Sequence, residues 1–194
     1  VINMIDNLIN TFEELKKYIF TINRNGNQNI EFRFKNENFY HLVGLHKIKS
    51  FNSYFPTYLK SQDKKYKYIK NNKEKFNNIL ENQLKEKDTL KLRMITFKNL
   101  IDLLKCNNTL LYNLKQKMPG SLYNGDFGLS KNYENICCLL GLKKYNMSNN
   151  IINCIPNSWM ASRRINKLIE YKRPIRMENI TANLESNYKE KIKS

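Results

Sequence analysis

The hydrophobic pattern changes period once, sharply, within residues 30–50 (IEFRFKNENFYHLVGLHKIKS). That change demands a strand that runs straight into a short helix. Ile30, Phe32 and Phe34 alternate with Glu31, Arg33 and Lys35, the period of two of a half-buried strand. Phe39, Leu42, Val43 and Leu45 then recur at helical spacing, and Asn36 or Asn38 stands where a side-chain oxygen caps a helix start. Both histidines of the chain, His41 and His46, fall here, with Tyr40, Lys47 and Lys49. An imidazole titrates near neutral pH and lysines hold polyanions, so one window unites a proton-transfer group with cations.

Charge narrows the partner. The chain has 34 basic against 17 acidic residues, a formal net charge of +17. A field of that sign attracts nucleic acid, an anionic membrane or an acidic protein. The 194 residues suit one domain. We expect it over residues 1–183, with a basic helical insert near 62–87 and a polar, fraying tail over 184–194. No run approaches the ~18 apolar residues of a membrane span, so no integral membrane association is expected. The opening VINMIDNLINTFEELKK has no basic stretch followed by an apolar run and does not read as a signal peptide. Cys106, Cys137, Cys138 and Cys154 form no CxxC pair, and their spacing with two histidines is poor for zinc. Reduced, buried thiols in a cytoplasmic protein without metal or cofactor are the expectation.

The rest of the chain follows the same rules. Ile5, Leu8, Ile9, Phe12 and Leu15 make the stripe of an amphipathic helix over 5–18. Residues 18–23 turn β-like, Asn25-Gly26 signals a tight turn, and 29–35 should pair back as a hairpin. Phe51, Tyr54, Phe55 and Tyr58 crowd around Pro56 in a loop or broken helix and read as core filler. Residues 62–87 are helical in propensity, with Tyr66, Ile69, Phe76 and Ile79 as a thin apolar face under Lys64, Lys65, Lys67, Lys70, Lys73 and Lys75. That ridge is either a solvated face or a track for phosphates. Asp88 is placed to cap a buried helix carrying Leu90, Leu92, Met94, Ile95, Leu100, Ile101, Leu103 and Leu104. Arg93 interrupts its apolar pattern and must reach solvent, an acidic partner or a ligand phosphate. Strands are expected over 109–117, 126–131, 133–144 and 151–162, with turns at Pro119-Gly120, Tyr123-Asn124-Gly125 and 145–150, and with Pro156 at an edge or bulge. A short helix over 163–171 and an extended RPIRMENI close the pattern. The fold class is α+β, with N-terminal helices and a hairpin packed on a C-terminal antiparallel β-meander.

The order of motifs carries a resemblance. A phenylalanine-rich strand leads into His41-Leu42-Val43-Gly44; an inward arginine, DFGLSK, ENICCLLGLKK and IPNSWMA follow. This resembles the phage-associated branch of the barnase/EndoU/colicin/RelE-like nucleases (PBECR-type, with the BECR-like fold) over residues 5–180. Two features depart from the pattern: the threonine-rich segment after the proline reads Asn157-Ser158-Trp159, and the basic insert is long. The resemblance implies metal-independent endoribonuclease chemistry in which the ribose 2′-OH attacks the adjacent phosphate. A base takes its proton, a cation steadies the phosphorane and an acid protonates the leaving 5′ oxygen. On that basis His41 is the first candidate, and Arg93 is a planar phosphate clamp. Lys131, Lys143 and Ser158 are expected near strand ends on one sheet surface; Tyr40 and Tyr145 are lesser candidates. Lys47, Lys49, Lys64, Lys65, Lys67, Lys70, Arg163 and Arg164 are the expected nucleic-acid contacts. The implied setting is a toxin-like or phage-borne enzyme in a bacterial host cell, acting on RNA such as tRNA or on a ribonucleoprotein, with an acidic protein as possible inhibitor.

Other chemistries fit worse. No Gly-rich phosphate loop or GxSxG is present, and Asp126, Glu134 and Glu178 are too scattered for a two-metal site. DFG at 126–128 lacks the other kinase motifs. A cysteine nucleophile has no evident partner, and the lysine-rich helix has too thin an apolar face to hold a membrane surface. Two readings stay open: the endoribonuclease, and a non-catalytic basic binder of nucleic acid or ribonucleoprotein, such as a mobile-element inhibitor of host defence. Metal-free RNA cleavage that depends on His41 separates them.

Overall fold

The computed structural model describes residues 3–48, 51–85, 87–105, 107–114, 125–148, 150–163, 169 and 172–185. Helix α1 (Met4–Leu15) buries the stripe Ile5, Leu8, Ile9, Phe12 and Leu15, and the Asn3 side chain accepts the Asp6 N–H at its start. Strands β1 (Tyr18–Asn23) and β2 (Asn29–Arg33) form the expected hairpin, closed at Gly26 with φ +68°. Helix α2 (Asn36–Leu42) follows at once. Asn38 accepts the Lys35 N–H at 2.7 Å, while Asn36 instead donates to Asp63 at 2.7 Å.

The basic insert folds as two helices, α3 (Gln62–Asn71) and α4 (Lys73–Gln83). Phe51, Phe55 and Phe76 stack within 5.3–5.7 Å of one another beneath them. These aromatics are core filler, although Tyr58 is exposed. The single helix expected next is broken into α5 (Asp88–Ile95), a 3-10 turn (Thr96–Lys98) and α6 (Asn99–Leu103). Thr96 sits at the break. Its hydroxyl bonds back to the Leu92 carbonyl at 2.8 Å, competing with the helix ladder, and accepts the Trp159 indole N–H at 3.3 Å. Asp88 occupies the first helical position, one residue after the cap position held by Lys87.

Strands β3 (Leu110–Asn113), β4 (Phe127–Tyr133), β5 (Ile136–Ser148), β6 (Ile151–Ser162) and β7 (Asn179–Leu184) complete the secondary structure. Among the described residues one seven-stranded sheet runs β3-β4-β5-β6-β2-β1-β7. The α+β class holds, with helices N-terminal and strands C-terminal. The N-terminal hairpin joins the antiparallel run β3-β4-β5-β6 by parallel pairing of β2 with β6, so the sheet is mixed. Apolar residues match across that seam: Ile30 faces Ile152 and Phe32 faces Cys154, all buried. The expected turn over 145–150 is shorter, because β5 continues to Ser148. Pro156 does sit at a bulge: Leu142 faces Pro156 and Gly141 faces Ser158, leaving Asn157 as the extra residue. The turns at Pro119-Gly120 and Tyr123-Asn124, Cys106, and most of the expected helix over 163–171 lie outside the described residues.

The helices cover one side of the sheet and share its main core with Cys138, Leu140, Leu142, Trp159 and Ala161. A smaller cluster of Tyr112, Leu114, Cys137, Leu139 and Ile169 lies on the other side. Cys137 and Cys138 thus point to opposite faces, both buried and free.

Gly44 ends α2's descent with φ +88°. A Cβ there would stand 2.6 Å from Leu90 Cδ1 and 3.2 Å from Arg93 Cδ and Nε. Gly44→Ala therefore combines left-handed strain with overpacking and should cost about 2–4 kcal/mol, read as a lowered urea midpoint with an unchanged m-value.

Candidate active site

Like any helix, α2 leaves its last carbonyls without intrahelical donors, and cationic or ring donors finish it. Arg93 donates from Nε to the Leu42 carbonyl at 2.8 Å and from Nη2 to the His41 carbonyl. The His46 ring donates to the Tyr40 carbonyl. Positive groups at a helix C-terminus also meet the negative end of its dipole. Arg93 is only 4% exposed. Burial lowers its pKa to about 10, which still leaves it charged at neutral pH.

This arrangement leaves the His41 ring exposed at the surface, 4.7 Å from the His46 ring centroid and edge-on to Tyr40. Partial desolvation, then the Arg93 charge, lowers the His41 pKa. His46 is pushed down to about 4 by desolvation, then by His41 and Arg93, despite its bond to the Tyr40 carbonyl. Both rings are therefore neutral at pH 7, the state in which an imidazole accepts a proton. Lys47 is shifted down as well, by desolvation and by Arg93.

A cleft of about 500 Å³ opens beside this group. Lys47 and Arg93 form one wall, Lys87, Asp88, Thr89 and Leu90 at the start of α5 another, and Met160 and Ala161 at the end of β6 the third. His41 and Arg93, two of the expected residues, are brought together, but through the His41 backbone. Arg93 gives Nε and Nη2 to carbonyls, so that edge of its guanidinium is turned to backbone.

The ribbon residues do not converge as expected. Lys131 stands opposite Cys138, on the helix side, where it pairs with Asp102 of α6 at 2.7 Å. Lys143 stands opposite Ile155 and Ser158 opposite Gly141, on the other side of the sheet. The bulge at Asn157 shifts the alternation of β6, which a strict period of two misses. The Ser158 hydroxyl is buried, with no hydrogen-bond partner among the described residues. Along the insert, Lys67 pairs with Asp63 at 2.8 Å and Lys70 with Glu13 at 3.3 Å. Lys65 bonds Asn52 at 2.9 Å and lies over the Tyr40 and Phe55 rings. Lys64 and Arg163 are exposed; Lys49 and Arg164 lie outside the described residues. The sequence offered no signal for Lys87, Thr89 or Met160, which become neighbours only through the packing of α5 on β6. Among the described residues no group of three or more His, Cys, Asp or Glu is placed to hold a metal ion, and no helix is long and apolar enough to cross a membrane.

The family model described as phage-Barnase-EndoU-ColicinE5/D-RelE like nuclease4 (PBECR4) matches residues 5–193. The chain belongs to this nuclease family. Nucleic acid is accordingly its substrate class, and the match carries the α+β domain from α1 through β7. Comparison with curated proteins and with solved structures gave no significant match. In this PBECR4 chain the cleft described above lies where α2, α5 and β6 meet.

Because both histidines have lowered folded pKa values, the unfolded chain binds more protons as pH falls below about 6.5. Stability should drop from there towards about 4, the folded value of His46. Glu13, Asp63 and Asp102 have lowered pKa values and add their own loss only at more acid pH. Urea titrations between pH 7 and 5 should show this slope, and His46→Asn, which keeps a donor for the Tyr40 carbonyl, should flatten it.

Proposed function

We propose that this PBECR4 nuclease is an endoribonuclease that works without metal, with its reacting centre at the α2 end of the cleft. The observation that carries the proposal is the exposed His41 ring whose backbone is held by the buried Arg93 cation, with Lys47 beside Arg93 in the cleft wall. His41 takes the proton of a ribose 2′-OH, and that oxygen attacks the adjacent phosphorus. Arg93 and Lys47 offset the charge gathering on the phosphorane oxygens. The P–O5′ bond breaks, and Lys47, an ammonium whose pKa is lowered, supplies the proton to the departing oxygen. The products are a 2′,3′-cyclic phosphate and a 5′-hydroxyl. Lys131, held by Asp102, and Lys143 and Ser158, on the far face, take no part in these steps.

The test is digestion of total RNA by purified protein in the presence of a chelator, with the new ends mapped chemically. Cyclic phosphate ends are expected. His41→Ala should slow their appearance by about 10²–10⁴-fold while leaving the urea unfolding curve unchanged, since the ring is exposed. Salt-sensitive RNA binding with no cleavage by the wild-type chain would instead mark a non-catalytic binder.

A further inference from the structure

The far end of the β5–β6 hairpin carries an aromatic that the fold does not use. Lys144 faces Cys154 and Asn146 faces Asn153, so Tyr145 is the extra residue of a second bulge in β5. It is 62% exposed, and Met147 beside it is 45% exposed. Bulges re-aim side chains, and this one turns a flat ring into solvent within a strand. Lys143 and Lys144 precede it directly, and the Lys144 ammonium rests against Met147 Sδ. Pairing of β5 with β4 ends at Leu142, so among the described residues no strand pairs with the outer edge of this stretch.

That edge is nevertheless closed to a partner strand. The Lys144 N–H is taken by the Asp126 carboxylate at 2.8 Å, and the Met147 N–H by the Asn146 side chain at 2.7 Å. A peptide adding as a further strand would find these donors occupied. A nucleic-acid strand has no need of them. It requires a ring face for a base and cations for the backbone, and the exposed Tyr145 ring follows Lys143 and Lys144, which stand on opposite faces of the strand.

We infer that Tyr145, flanked by Lys143 and Lys144, is a stacking platform for an unpaired base of a single-stranded RNA substrate. The inference rests on the proposed ribonuclease reading and extends it. From the residues facing Tyr145 to Met160 in the cleft, β6 covers about 20 Å. The platform therefore grips the strand several nucleotides from the cut and selects single-stranded over paired substrate, because a base within a duplex cannot offer its face.

Binding is measured on full-length His41→Ala protein, so that cleavage does not intervene, with a labelled single-stranded decanucleotide and an RNA duplex of equal length. Adding Tyr145→Ala should weaken single-strand binding by roughly tenfold or more, and Tyr145→Phe should restore it. Duplex binding should be unchanged. Lys144→Ala should reduce the salt slope by roughly 0.7, whereas Tyr145→Ala should leave the slope alone. Single-strand affinity unaffected by Tyr145→Ala, equal loss for duplex and single strand, or no RNA binding at all would each overturn the inference. Cyclic phosphate production by the wild-type chain decides the ribonuclease reading separately, so the two can fail independently.

Discussion

A buried cation that finishes a neighbouring helix organises this molecule. Arg93 comes from α5 and spends its donors on the carbonyls of His41 and Leu42 in α2. A guanidinium is costly to bury unless its donors are met, and hydrogen bonds from a charged group are worth roughly 1.5–3 kcal/mol each. Several other features follow from it. Gly44 must lack a side chain because Arg93 and Leu90 occupy that space. The α2 terminus is fixed against α5, which sets the mouth of the cleft. Desolvation first, and then the nearby positive charge, holds His41, His46 and Lys47 towards their neutral forms. A group that secures the fold thereby also tunes the chemistry.

The second constraint is the parallel seam between β2 and β6. It brings the strand that precedes α2 alongside the strand that ends in Met160 and Ala161. Strand β2 stops near Cys154, while β6 continues to Ser162, and α2 packs against that continuation. Residues 41–47 and 160–161, far apart in the chain, meet because β2 ends early and the chain turns into a helix there.

Local pattern made the elements readable, and tertiary geometry hid most of the site. The switch of period after Lys35, the Asn25-Gly26 turn and the stripe of α1 all lie within a few residues, and the structure follows them. The need of Arg93 for a partner was also plain from its apolar surroundings. That the partner is backbone at the end of another helix was not, because no side-chain type marks a spare carbonyl. Lys131, Lys143 and Ser158 looked equivalent under a simple alternation. The bulge at Asn157 and the true registers put Lys131 on one side of the sheet and the other two on the opposite side. The lysine ridge was legible as charge, and the Lys67–Asp63 pair lies at i,i+4 within α3, but the Lys70–Glu13 pair depends on how α3 lies beside α1. Such exposed pairs are weak, so a polyanion can displace their carboxylates at little cost.

The long reach of the β2–β6 seam has a consequence during biosynthesis. Ile30 cannot find Ile152 until that residue has left the ribosome, and closing so large a loop is slow. Until then the nascent hairpin keeps one apolar edge open, and the wall made by Met160 and Ala161 does not exist. A nascent chain that has not yet exposed β6 thus lacks an assembled cleft.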